Sequence, residues 1–85
     1  MNSFNLEINT IEKQVYSGPA VYCKIITPVG SKGIEARHEE FNAILEENTD
    51  IVFRTESEEL KTVTIKSAIL SFKNNTCTIV AEINK

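Results

Sequence analysis

Phe4, Leu6 and Ile8 alternate with Asn5, Glu7 and Asn9, the period-two pattern of a strand that buries one face. Thr10 and Ile11 interrupt the beat, and Lys13-Gln14-Val15-Tyr16 resumes it. Ser17-Gly18-Pro19 then reads as a turn, because glycine accepts positive φ and proline fixes its own. Ala20 to Ile26 is the most strand-like stretch, with Val21, Cys23 and Ile25 set to point one way and Tyr22, Lys24 and Ile26 the other. Apolar residues on both faces predict a strand covered on both sides near one end. Thr27-Pro28 ends it, since Pro28 cannot donate to a ladder.

The alternation is lost between Val29 and Leu45. This stretch holds Gly30, Gly33, the single histidine His38, and Glu35, Glu39 and Glu40 against Arg37. Loops of this kind, held by a rigid scaffold, are where binding residues concentrate. Two periods compete between Ala36 and Asn48. Phe41, Ile44 and Leu45 fit helical i, i+3, i+4 spacing with Asn48 as a stop, while Phe41-Asn42-Ala43-Ile44 also reads as a short strand. Periodicity alone leans towards the helix.

From Thr49 onward the period of two returns. Ile51 and Phe53 form one face with Val52 opposite, and Glu56-Ser57-Glu58-Glu59 makes a polar hairpin tip. Leu60 to Ile65 follows with Val63 and Ile65 inward. Then come Ala68 to Phe72, the turn Lys73-Asn74-Asn75, and Thr76 to Ile83. Short strands every 8–12 residues with polar turns between them predict an all-β sandwich or barrel. Residues 1–85 form one domain, with no repeat, linker or low-complexity tract.

Composition narrows the function. A chain of 85 residues buries about 60–65% of the surface its unfolded form exposes. A deep catalytic cleft would remove core that such a fold can barely spare, so a binding or structural module is expected rather than an enzyme. Nine basic against twelve acidic side chains give a net charge of −3, with no lysine-arginine cluster, which argues against nucleic-acid binding. No apolar run approaches the roughly 20 residues of a membrane span, and MNSFNLEI is not a signal peptide, so a soluble cytosolic chain is expected.

Cys23 and Cys77 have neither CxxC spacing nor a neighbouring histidine in sequence. Each sits in an apolar alternation and reads as a reduced core thiol, with a disulfide as the alternative. His38 as a base for Cys23 would make a thiol nucleophile pair, but no third group orients it and the strand pattern buries the thiol. Gly30-Ser31-Lys32-Gly33 lacks the Gly-Lys-Ser/Thr of a phosphate loop and reads as a turn. Glu39, Glu40, Glu46 and Glu47 read as a solvated acidic edge. No catalytic, cofactor or metal site is expected.

The order of these elements resembles the epsilon subunit of F-type ATP synthases. Phe4-Asn5-Leu6-Glu7-Ile8 and Glu12-Lys13-Gln14-Val15-Tyr16-Ser17-Gly18 resemble that family's aromatic-x-Leu-x-Val and Thr-Pro-Glu-x-x-Val-Tyr/Phe-Ser-Gly. Gly30 to His38 falls on its Gly-x-Leu-Gly-Ile-Leu-Pro-Gly-His loop, with the second Gly, Ile and His in place. Ile65 to Phe72 and Thr78 to Glu82 resemble its Ser-Gly-Gly-Phe-x-Glu-Val and Val-Thr-Val-Leu-Ala-Asp. Glu35-Ala36-Arg37 replaces Leu-Pro-Gly, Ser67-Ala68 replaces Gly-Gly, and Ser31 stands where an acidic residue is usual.

The resemblance implies a flattened two-sheet β-sandwich of roughly eight to ten short strands, with an extended path through residues 36–47. It implies a non-catalytic rotor subunit of the central stalk, which docks gamma onto the membrane c-ring and couples ion-driven rotation to ATP synthesis. Thr10, His38 and Ala43 would face gamma, and Gly30, Ser31 and Lys32 would face the c-ring loops. The domain would be cytoplasmic, peripheral on the inner face of the cell membrane through the complex, with no small-molecule substrate. The family's C-terminal helical hairpin would begin where this chain stops, so a naturally short member and an isolated N-terminal domain are both open. Without that hairpin, no inhibitory arm and no ATP binding are expected. The altered Leu-Pro-Gly and Gly-Gly positions motivate an alternative, a free-standing β-sandwich adaptor or regulator derived from the family.

Overall fold

The computed structural model describes residues 2–83. Eight strands follow one another: β1 (Phe4–Asn9), β2 (Gln14–Thr27), β3 (Gly30–Ile34), β4 (Phe41–Ile44), β5 (Thr49–Thr55), β6 (Leu60–Ile65), β7 (Ser67–Lys73) and β8 (Thr76–Glu82). Hydrogen bonds join them in the order β4-β7-β8-β1-β2-β5-β6, with β3 on the far half of β2. All pairs are antiparallel except β1 with β8. The domain measures 34 × 25 × 20 Å. Since packed sheets lie about 10 Å apart, that thickness is two layers, and the continuous ladder is doubled over into a β-sandwich.

β2 makes the fold-over. Its first half, through Ala20, pairs with β1, and its second half pairs with β5 and β3. Ala20 faces Thr55 while Tyr22 already faces Arg54, so Val21 is an extra residue, a bulge that bends the strand. The bulge also resets the phase of the side chains: Ala20 and Cys23 both point into the core. Val21, Tyr22 and Ile26 are half-buried, as a strand covered on both sides near one end should be.

Ser17-Gly18-Pro19 is therefore not a turn. β2 runs straight through it, with Ser17, Gly18 and Pro19 opposite Glu7, Leu6 and Asn5. Asn5 gives its N–H to the Asn75 carbonyl on its other side, so Pro19's backbone groups point away from β1. There the ladder to β5 starts only at Ala20, and the missing N–H of Pro19 leaves no gap. Gly18 provides room for Tyr16: a Cβ there would lie 3.1 Å from the Tyr16 hydroxyl, which donates to the Pro19 carbonyl at 3.1 Å.

The inner faces of the two layers meet in one hydrophobic cluster. Phe4, Leu6 and Ile8 of β1 join Ile51 and Phe53 of β5, Ile65 of β6, and Leu70 and Phe72 of β7. Phe4 and Phe72 pack edge to face at 5.8 Å, and Tyr16 lies 4.7 Å from Phe53. Cys23 and Cys77 are buried here as free thiols.

The segment with competing periods is extended only in its middle, with turns at Ala36-Arg37 and Glu47-Asn48 where the resemblance implied a continuous extended path. Phe41–Ile44 is a strand paired with β7, and the apparent helical match fails because Leu45 is buried while Ile44 is exposed. Asn48 takes positive φ (56°) in the turn that follows. The turn expected at Gly30–Gly33 lies three residues earlier, at Thr27–Gly30. Thr27 pairs with Gly30 around Pro28-Val29, and Thr27 Oγ1 donates to the Gly30 carbonyl at 2.9 Å. Gly30 has φ 129°, which glycine alone adopts freely, whereas Gly33 lies inside β3.

Candidate partner-binding surface

A strand with one face in the core offers the other to solvent, and on β4, β7 and β8 that outer face is apolar at one level. Ile44 pairs with Ile69, and Ile69 with Val80, so three aliphatic side chains stand abreast. They are 70%, 58% and 44% exposed. The adjacent level, Asn42, Ser71 and Thr78, is polar but uncharged. Two loops rise beside this floor. The Thr27–Lys32 hairpin flanks it on one side with Pro28, Val29 and Lys32, and the loop from Thr10 to Lys13, with the first residues of β2, flanks it on the other. The result is a shallow trough with Ile44, Ile69 and Val80 common to both halves.

The residues singled out from sequence fall around this trough in part. Thr10 stands in the wall between β1 and β2, where its Oγ1 accepts the Lys13 and Glu12 backbone N–H groups at 3.1 and 3.2 Å. Ala43 lies at the β4 margin, its side chain half-buried against the core. Lys32 lines the opposite wall, with its ammonium 4.5 Å from the centre of the Phe41 ring. Gly30 and Ser31 are exposed at the start of β3, beyond the trough lining.

His38 stands outside the trough. Its ring packs on Phe41 at 4.9 Å and on Phe72 at 5.8 Å, and its Nδ1 lies 2.8 Å from the Glu39 carbonyl. Phe41 thus separates His38 from Lys32, touching both.

Sequence reasoning did not single out Ile44, Ile69, Val80 or Val29. A signal existed for Ile69, which alternates with the buried Ala68 and Leu70 and must point outward.

The remaining candidate chemistry has the geometry of structure, not reaction. Burial pushes the Cys77 thiol up to about 12, and burial together with the nearby Cys77 pushes Cys23 up further. A thiol held protonated is the reverse of an activated nucleophile. Glu39, Glu40, Glu46 and Glu47 are exposed. Among the described residues, no group of three His, Cys, Asp or Glu side chains is arranged to hold a metal ion.

The domain is thus a two-layer β fold with one buried core and, on its outer face, an apolar trough framed by hairpins. Comparison with known proteins makes the class specific. Residues 3–84 match the family described as ATP synthase, delta/epsilon chain, beta-sandwich domain, and the chain belongs to that family. It is 30% identical over 82 residues to the ATP synthase epsilon chain of Mycobacterium avium, covering 96% of this chain and 68% of that one. The same figures hold for the epsilon chain of Mycolicibacterium paratuberculosis.

Among solved structures, a chain of the Euglena gracilis mitochondrial ATP synthase OSCP/F1/c-ring assembly superposes with a TM-score of 0.87 at 16% identity. A chain of the Tetrahymena thermophila mitochondrial ATP synthase central stalk and c-ring superposes with a TM-score of 0.78 at 16% identity. The present chain covers 95% and 92% of itself in these matches but spans only 51% and 62% of those chains.

Proposed function

We propose that this domain is a non-catalytic rotor module of an F-type ATP synthase, docked on gamma through the β4-β7-β8 face and on the c-ring through the β2–β3 hairpin. The observation that carries the reading is the in-register row Ile44, Ile69 and Val80, exposed side by side on the outer face with the still more exposed Ile11 and Val29 in the loops that flank it. Aliphatic side chains abreast on a flat ladder gain about 25 cal/mol per Å² when a partner covers them, and grouped apolar exposure marks an interaction face. The named relatives belong to ATP synthases, which supports gamma and the c-ring as the partners. Thr10, Ala43 and His38 face gamma in this reading, and Gly30, Ser31 and Lys32 face the ring. The domain is then peripheral, held at the membrane by the complex.

The test is recovery of identified subunits by the tagged chain from its own cells, with Ile69→Asp, His38→Glu and Lys32→Glu beside the wild type. Recovery of gamma, beta and c subunits, lost with Ile69→Asp and weakened by either charge change, supports the proposal. A folded wild-type bait that recovers none of them refutes it and favours a free-standing adaptor.

A further inference from the structure

The loop that carries His38 is held from a distant part of the chain. Between β3 and β4 the backbone turns at Glu35–His38, where the His38 N–H reaches the Glu35 carbonyl at 3.2 Å. The turn forces Arg37 to φ 63°, a left-handed conformation that a residue with a Cβ resists. Such a residue persists only where its surroundings over-determine it.

Here the surroundings are the β7–β8 hairpin. Lys73 pairs with Thr76 around a two-residue loop, Asn74-Asn75, with both asparagines at positive φ (52° and 55°), the type I′ arrangement. That loop faces the His38 segment and bonds to it twice. The Arg37 N–H donates to Asn75 Oδ1 at 2.7 Å, and the Asn74 N–H donates to Glu40 Oε2 at 3.1 Å. The same Asn75 is itself fixed. Its Nδ2 donates to the Ser3 carbonyl at 3.0 Å, and its own carbonyl accepts the Asn5 N–H at 3.1 Å. His38 therefore lies between two anchored residues, Arg37 and Glu40, with its ring seated on Phe41 and Phe72.

We infer that Asn75 is a positioning residue for the partner surface: its side-chain amide holds the Arg37 turn in the one conformation that presents His38. This rests on the gamma-docking reading above. Asn75 touches no partner in this account. It lowers the ordering cost that a free loop would bear on association.

The substitution that isolates this role is Asn75→Gly. Asn-Gly is a preferred type I′ pair, so the hairpin is retained while the amide is lost. Asn75→Asp is the conservative partner, keeping an oxygen acceptor for the Arg37 N–H. Two readouts are taken on the full chain: hydrogen exchange of the Arg37 amide in the free protein, and the Kd for purified gamma. In Asn75→Gly, Arg37 exchange accelerates and the Kd rises about fivefold, the worth of one net hydrogen bond. In Asn75→Asp both changes are smaller than in Asn75→Gly, because the acceptor for Arg37 remains while the donor to Ser3 is lost. The loss caused by His38→Ala is smaller in the Asn75→Gly background than in the wild type, because the loop no longer presents the ring.

Unchanged Arg37 exchange in Asn75→Gly, an unchanged Kd, changes in Asn75→Asp as large as those in Asn75→Gly, or fully additive losses with His38→Ala would each overturn the inference. A wild-type chain that does not bind gamma overturns the docking reading on which it rests. Arg37 exchange, read without any partner, separates that failure from failure of the Asn75 contact.

Discussion

The ammonium of Lys32 lies over the ring of Phe41, 4.5 Å from its centre. Lys32 belongs to β3, which pairs with β2, and Phe41 belongs to β4, which pairs with β7. The contact therefore joins strands with no shared ladder, and it braces the exposed hairpin against the rest of the sandwich. An exposed cation–π pair contributes about 0.5–1 kcal/mol. Lys32→Met, which keeps the stem and removes the charge, should cost about 0.5 kcal/mol in urea unfolding. In a Phe41→Leu background the same change should cost close to nothing. Additive losses would show that the two side chains are merely neighbours.

Arg37 occupies a left-handed conformation at φ 63°, a region glycine enters without a Cβ penalty. Relief of the Cβ penalty is worth about 1–2 kcal/mol, and the extra freedom of glycine in the unfolded chain returns about 0.4–1. Arg37→Gly should stabilise the domain by about 0.5 kcal/mol, a rise of about 2–4 °C in Tm. A lower Tm would mean that the arginine side chain contributes more than its backbone costs.

The two buried thiols set an alkaline limit. Their ionisation lies above the ordinary value of 9.0, at about 12 for Cys77 and higher for Cys23, because burial disfavours the thiolate. The unfolded chain releases these protons first. The stability they support is complete below pH 9 and is lost as pH rises from there towards the folded values, at about 1.4 kcal/mol per pH unit for each thiol. Tyr16, raised by burial and then by Glu59, acts in the same sense above pH 10. Urea midpoints at pH 7, 9 and 10 should fall between the last two, with a smaller fall in Cys77→Ala. At neutral pH, iodoacetamide should label both cysteines no faster than the whole domain opens. Rapid labelling of Cys23 in the native state would contradict the burial.

The 85-residue chain should not bind ATP. Gly30-Ser31-Lys32-Gly33 forms the start of an edge-lying strand, not a loop whose N–H groups converge on a phosphate. Isothermal titration should show no heat of binding at millimolar ATP. Micromolar affinity would place a nucleotide site on this domain.

Local signals were sufficient where a short segment determines its own shape. Alternation located β1, both halves of β2 and β5 to β8, though not β3, and Lys73-Asn74-Asn75 and Glu56–Glu59 marked two hairpin tips correctly. They failed where a residue answers to something distant. Gly18 and Pro19 carry turn chemistry, but they lie in a strand because one leaves room for Tyr16 and the other points its missing donor off the ladder. Gly33 reads as a turn glycine, yet its place in β3 is set by Tyr22, whose hydroxyl would meet an added Cβ at 2.8 Å. Phe41, Ile44 and Leu45 match a helix by spacing alone, and only pairing with β7 decides against it. The trough was half legible: outward aliphatics are visible in the alternation, but their standing abreast depends on register, which no single strand encodes. The hold of Asn75 on Arg37, across 38 positions of sequence, was not legible at all.

β1 and β8 are the outermost strands in sequence yet lie side by side, parallel, from Asn5 opposite Thr76 to Asn9 opposite Val80. Opposing forces applied at Asn2 and Ile83 would drive these strands along each other lengthwise. Every rung between them would then have to fail together, where an antiparallel pair pulled from one end peels rung by rung. A domain loaded between its two ends gains resistance to stretching from this arrangement, because the strands nearest the two ends are clamped to each other along their length.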